Sequence, residues 1–314
     1  MKHVFITGCP RSGTTMLASI LGNCANSVVT PESDFFFGFM FKYLQNDSDQ
    51  AQKEDYITFL NKNYRFGQWG LAAEGIEIPE GGLVFSNYHT VIENTVEYYA
   101  SENMASTINE EITRIDHTPS NILHFEALNR LFPESKFVFI VRDPRAVYAS
   151  VKKLDWGANS ALRLSDLWSQ YVVMYYSLKQ LHPKRVLLVK YEDIVSDPAS
   201  FVQQICIFTG LDYEESILKG GGFKLPKYTA AQHTLVGKTL TKDRIDKWKQ
   251  KISEKEVLLI ESKCNLLMSS FGYHFSRTKR YKVGVKDRIK SLVRESHCYL
   301  INKVKKKKRE KISA

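Results

Sequence analysis

A chain of 314 residues, 43% hydrophobic and 25% charged, has enough apolar mass to bury a core, which excludes a mainly disordered or low-complexity protein. Its net charge of +10 is concentrated in residues 277–314, with 15 Lys/Arg against 3 Asp/Glu; the first 276 residues hold 29 against 31 and lack the basic surface of a nucleic-acid-binding protein. No apolar run reaches the roughly 20 residues that cross a bilayer, and the five cysteines (Cys9, Cys24, Cys206, Cys264, Cys298) form no Cys-x-x-Cys pair, the pattern of reduced thiols without a zinc site.

In chain order, Val4-Phe5-Ile6 is a short apolar run ending in Thr7-Gly8, an amphipathic segment follows from Thr14 to Leu21, and Ser27-Val28-Val29-Thr30 is a second strand candidate. Strand, glycine turn, helix, strand is the opening of a parallel α/β sheet. No cationic segment with a long apolar stretch precedes it, so no signal peptide is expected. Residues 35–114 differ in character. They are rich in aromatics (Phe35-Phe36-Phe37, Tyr98-Tyr99), turn at Gly81-Gly82 and show no strand periodicity, so they read as a mostly helical insertion of the kind that forms lids and pockets. Lys136 to Val141 (KFVFIV) is continuously apolar, as in strands covered on both faces, and a helix is expected from about Arg145 to Lys153. Arg185 to Lys190 (RVLLVK) is a third such strand, and Ser196-Asp197-Pro198 caps a helix near 198–209. The expected body is residues 1–276, followed by a basic, partly amphipathic tail over 277–314.

The most informative stretch is Gly8-Cys9-Pro10-Arg11-Ser12-Gly13-Thr14-Thr15, between the first strand and the first helix. Backbone N–H groups of a glycine-cornered turn converge there, and the helix N-terminus adds partial positive charge, which together cradle an anion. The spacing is that of the Walker A loop except that Thr14 replaces the lysine that meets the β- and γ-phosphates of a triphosphate. Arg11 restores a positive charge on the other side of the loop. A second anchor follows strand 136–141, where Arg142 sits at the strand end and Ser150 lies eight residues on; the two can converge on one phosphate, the arginine in a forked mode.

Pro10-Arg11-Ser12-Gly13-Thr14-Thr15 resembles the 5′-phosphosulfate loop of sulfotransferases, which use 3′-phosphoadenosine 5′-phosphosulfate (PAPS) as donor, and within that superfamily it resembles the tyrosylprotein sulfotransferases and related bacterial enzymes. The resemblance implies a P-loop-like parallel sheet flanked by helices, with the insertion on the acceptor side. It implies that Arg11, Ser12, Gly13, Thr14 and Thr15 hold the 5′-phosphate and sulfuryl group, that Arg142 and Ser150 hold the 3′-phosphate, and that Tyr191 lies against the nucleotide. Lys238 to Trp248 resembles the family's late loop, which makes Lys247 a donor contact and Lys238, Thr241 and Arg244 further candidates; Trp248 reads as packing. No essential metal is expected.

Sulfuryl transfer is an in-line displacement in which positioning and charge stabilisation dominate. Glu32, just past the second strand at the carboxyl edge of the sheet, is the expected general base, with Asp34 as the alternative. The resemblance supports Glu32, and Arg11 would stabilise the transferring group. Relatives often carry a lysine before Thr-Pro where this chain has His117; a histidine could donate instead, titrating near its unperturbed 6.5. The expected reaction is sulfuryl transfer from PAPS to a hydroxyl or amine of a glycan, glycolipid or peptide tyrosine. A P-loop kinase-like phosphotransferase and a non-catalytic nucleotide-binding module at a membrane surface stay open. In the tail, Val285, Ile289, Leu292, Tyr299/Leu300 and Val304 fall near helical spacing with Lys/Arg between them, and Lys305 to Arg309 is unbroken basic sequence. That pattern suits an anionic membrane surface, so the chain is expected in the cytosol, with peripheral attachment at the inner membrane face.

Overall fold

Val4 and Ile6 turn to one side of the first strand and Phe5 to the other, and all three are buried. The same alternation divides Val138 and Ile140 from Phe137, Phe139 and Val141 on KFVFIV. A strand reads as continuously apolar when both of its faces are covered, and period 2 sends successive side chains to separate cores. The computed structural model describes residues 1–46, 48–103, 112–223, 241–276 and 281–313. Within them β1 (Lys2–Thr7), β2 (Ser27–Thr30), β3 (Thr113–Asp116), β4 (Lys136–Val141) and β5 (Val186–Lys190) form one parallel sheet in the order β2-β3-β1-β4-β5. Val4 lies opposite Ile115 on one neighbour and Lys136 on the other.

One face is covered by α1 (Thr14–Leu21), α9 (Tyr191–Ser196) and α10 (Pro198–Thr209) through Leu17, Leu21, Ile194, Val202 and Ile205. The opposite face carries the insertion, α2 (Phe35–Tyr43), α3 (Lys53–Asn61), α4 (Tyr64–Gly67) and α5 (Tyr88–Asn103), together with α6 (Phe125–Leu131), α7 (Pro144–Val151), α8 (Ala161–Leu181), α11 (Glu254–Lys263) and α12 (Asn265–Ser270). The insertion's aromatics make its own core: Trp69 stands edge-on to Phe35, Phe36 and Tyr99, with ring centroids 5.2–5.9 Å apart. Such pairs add about 0.5–1.5 kcal/mol each beyond the area they bury.

Helix starts follow local chemistry. Asp143 accepts from the Arg145 N–H with Pro144 at the first helical position, and Asp197 accepts from the Ser200 N–H with Pro198 in the same role; α10 ends on Gly210 at φ 75°. The last helix, α13 (Val285–Ser313), runs through the tail without a break. Among the described residues no helix is long and apolar enough to cross a membrane.

The structure departs from the sequence reading at two elements. β3 begins at Thr113, inside the stretch read as helical, and is hidden by its charged residues Arg114 and Asp116, which pair at 2.8 Å with side chains only 2% exposed. α8, the 21-residue helix behind β4, escaped notice altogether. β3 and β4 flank β1, so the chain between them crosses it, and ligands of open α/β sheets bind outside the carboxyl ends of strands at such a crossing.

Candidate active site

Each of the five strands delivers a candidate residue to this carboxyl edge: the Gly8–Gly13 loop from β1, Glu32 from β2, His117 from β3, Arg142 from β4 and Tyr191 from β5. The loop needs its glycines. Gly8 has φ 151°, and a Cβ there would stand 2.3 Å from the Ile140 carbonyl oxygen; Gly13 has φ 114°, and a Cβ would meet the Tyr191 ring at 2.8 Å. Arg11 itself takes φ 75°, a conformation that a non-glycine residue adopts at some cost in strain. Ser12 is fully buried, and Thr14 and Thr15 are buried in the first turn of α1.

The two anchors foreseen in the sequence meet, with a different pairing. Ser150 Oγ accepts from Arg11 Nε at 3.1 Å, and Arg142 Nη1 donates to the Arg11 carbonyl at 3.1 Å. Arg142 stacks its guanidinium 3.9 Å over the Tyr191 ring, so Arg11 lies between the residues expected to act as a pair. Burial and the neighbouring Arg142 push the Arg11 guanidinium below its usual pKa, with Glu32 opposing. Two close cations in a partly desolvated loop are unfavourable by themselves and favour an anion between them.

Glu32 is fixed from below. Ser33 donates its N–H to Thr118 Oγ1 at 2.8 Å and its hydroxyl to Asp116, and the Thr118 N–H donates to Asp116 at 2.9 Å, which staples the loop after β2 to the loop after β3. The Glu32 carboxylate pairs with Arg65 Nη1 at 2.8 Å, and Asp34 lies 3.7 Å from Nε of the same arginine. Burial raises the Asp34 pKa, with Arg65 opposing. The Glu32 charge acts on both Arg11 and His117.

His117 is 3% exposed, its ring edge-on to Phe223 at 5.1 Å, and neither ring nitrogen has a hydrogen-bond partner among the described residues. Burial lowers its pKa below 6.5, Glu32 and Asp116 opposing. This direction runs against a histidine titrating near 6.5 and favours the neutral ring at pH 7. Ser12 Oγ, Thr30 Oγ1, Arg142 Nε and both polar atoms of Asn121 are likewise buried without a partner among the described residues. An unsatisfied buried polar group costs about 1–3 kcal/mol, so a polar ligand bound at this edge would satisfy groups that the protein leaves unpaired.

A model of the sulfotransferase family matches residues 3–215. The chain belongs to the sulfotransferase family. It is 28% identical over 261 residues to protein-tyrosine sulfotransferase 2 of Gallus gallus, covering 79% of this chain and 63% of that protein. It is 29% identical over 252 residues to the omega-hydroxy-beta-dihydromenaquinone-9 sulfotransferase of Mycobacterium tuberculosis (strain CDC 1551 / Oshkosh), covering 67% of this chain and 63% of that protein. The chain thus spans less than two thirds of the length of both relatives. Its fold is shared with the sulfotransferase domain from the curacin biosynthetic pathway (TM-score 0.59, 19% identity, 87% of this chain and 98% of that one). It is also shared with the sulfotransferase domain of the Synechococcus PCC 7002 olefin synthase (TM-score 0.56, 21% identity, 88% and 96%).

The 3₁₀ turns Lys242–Arg244 and Lys247–Gln250 pack against α9 and α7, the helices bearing Tyr191 and Ser150. Thr241 and Lys247 are exposed and Arg244 is half-buried; Lys238 lies outside the described residues. Trp248 is buried under the Arg145 guanidinium at 4.3 Å, so it packs rather than stacks on a base. Three residues of the site escaped sequence reasoning. Arg65 is 33 positions from the carboxylate it pairs with, Asn121 lies in a 3₁₀ turn without a motif, and Tyr171 sits on the unread α8 with its phenol pushed up by burial beside Cys9 and Glu32.

Proposed function

We propose that this chain transfers a sulfuryl group from PAPS to an acceptor hydroxyl or amine, with Glu32 as general base. The observation that carries the reading is the loop of Gly8 to Thr15 bringing Arg11 and Arg142 together beside Glu32, at an edge crowded with unpartnered polar atoms. These residues fit the donor. The loop amides, the Ser12 hydroxyl and the α1 N-terminus suit a 5′-phosphosulfate, Arg142 and Ser150 a 3′-phosphate, and Tyr191 packs where the loop and Arg142 hold it. PAPS supplies an activated sulfuryl group, and the protein supplies position and charge.

Glu32 accepts the acceptor's proton, and the Arg65 ion pair aims its carboxylate. Arg11 stabilises negative charge that grows on the transferring oxygens. His117, neutral at pH 7, donates one N–H toward the leaving side, so no activity should be lost through deprotonation of His117 above pH 7. A His117→Lys variant that moved the rate profile between pH 7 and 9 would contradict this. Thr14, standing where a triphosphate enzyme has lysine, weighs against the phosphotransferase reading. The test is labelled-sulfate transfer: Glu32→Gln should lower turnover about 10²–10⁴-fold while leaving adenosine 3′,5′-bisphosphate binding within about twofold. Equal turnover would remove Glu32 from the role.

The acceptor is proposed to be a glycan or glycolipid. Aromatics and both signs of charge in the insertion suit a sugar headgroup, and the named relatives act on a protein tyrosine and a hydroxylated menaquinone derivative. The basic tail is proposed to bring the protein to an anionic membrane surface.

A further inference from the structure

A surface helix ordinarily buries its apolar stripe and turns its polar face to water. α13 does the reverse. Its half-buried stripe is mainly polar, with Asp287, Ser291, Glu295 and Asn302 in line and Cys298 among them. Glu295 accepts from the Ser160 N–H at 2.5 Å, the hydroxyls of Ser291 and Ser160 lie 2.7 Å apart, and Asn302 Nδ2 donates to Asn159 Oδ1 at 3.0 Å. Asp287 pairs with Lys255 at 2.9 Å near the helix start. At about 100° per residue, Ser291, Glu295 and Asn302 share one edge of the helix. Val285, Ile289, Leu292, Val293, Tyr299 and Leu300 form a stripe centred on the far side, each 55–73% exposed. Lys286, Arg288, Lys290 and Lys303, all exposed, flank or interrupt it.

We infer that this outward apolar stripe is a docking surface for an anionic lipid bilayer, and that it presents the acceptor side of the site to molecules lying in that bilayer. The inference deepens the membrane reading above and rests on Glu32 marking the acceptor side. Charge selects the occupant: a segment with 15 basic and 3 acidic residues around an exposed apolar row complements acidic headgroups over acyl chains. Position links it to the reaction. α13 packs against α8 and α4, and α4 carries the Arg65 that pairs with Glu32. A helix lying in the interface would therefore hold the Glu32 side of the sheet edge close to the membrane plane. The acceptor class this selects is an amphiphile whose hydroxyl stands at the headgroup level.

The test uses the full chain and vesicles of phosphatidylcholine, with or without phosphatidylglycerol. Wild type is expected to sediment with the anionic vesicles and weakly with the neutral ones. The triple variant Ile289→Ser, Leu292→Ser, Leu300→Ser changes only exposed side chains, and should lose at least about tenfold in partitioning while titrating adenosine 3′,5′-bisphosphate as wild type does. With labelled PAPS and a membrane extract dispersed as vesicles, label is expected in the lipid phase, and the triple variant should transfer less of it. Wild type staying in the supernatant, or the triple variant sedimenting equally, would overturn the docking surface. So would light scattering showing a dimer that the triple variant converts to monomer, since a second copy would then cover the stripe. Label entering only water-soluble material would overturn the acceptor class. Loss of nucleotide binding in wild type would instead remove the donor reading, and sedimentation would still decide the docking surface.

Discussion

At the level of single residues, charge placement explains most of the site. Arg11 reaches from the loop to α7 and Arg142 from β4 back to the loop, so each guanidinium helps to fix the other's surroundings. Hydrogen bonds to charged groups contribute about 1.5–3 kcal/mol each. Arg142→Ala should therefore weaken adenosine 3′,5′-bisphosphate about 10–150-fold in a calorimetric titration, and an unchanged affinity would remove Arg142 from the donor site. Both arginines were legible in the sequence because Arg11 lies within a recognisable glycine turn after β1 and Arg142 directly follows β4. Arg65 and Asn121 were not, since their relevance comes from a long-range ion pair and from burial without a partner, neither of which leaves a local pattern. His117 was legible as a position, while the direction of its titration was not, because that depends on burial, which lowers its pKa.

Among the elements, those with period and punctuation were readable and β3 was not. The continuous apolar run of β4 and the Pro-capped start of α10 both appear where expected, while the buried Arg114–Asp116 pair makes β3 look like a polar segment. That pair joins the loop carrying Glu32 to the loop carrying His117, through Ser33 and Thr118. Removing one partner of a buried ion pair costs about 3–5 kcal/mol, so Asp116→Ala should lower stability by that order in urea unfolding and disturb the loops carrying Glu32 and His117. Burial alone would raise the Asp116 pKa, but Arg114 and the Ser33 and Thr118 hydrogen bonds outweigh it and hold the carboxyl below its usual range. The stabilisation is thus present above about pH 4 and lost as pH falls below it. A variant as stable as wild type at pH 7 would show that the staple does not depend on this carboxylate.

For the whole molecule, a near-neutral body carries a basic helix along one side. Acid sensitivity of the body is expected from its buried histidines. Burial lowers the pKa of His3 to about 4, with Glu93 opposing, and lowers those of His117 and His124. The unfolded chain takes up protons from about pH 6.5 downward that the folded chain refuses, so stability should fall as pH drops. His3 alone accounts for up to about 3 kcal/mol by pH 4, and His3→Gln should flatten the slope measured by denaturant midpoints between pH 7 and 5. The most direct measurement of the central claim is calorimetric titration of the purified chain with adenosine 3′,5′-bisphosphate, beside an Arg11→Ala/Arg142→Ala double variant of proven fold. Saturable binding by the wild type and its loss in the double variant is the expected result; no heat at millimolar nucleotide, or equal binding by both proteins, would contradict it.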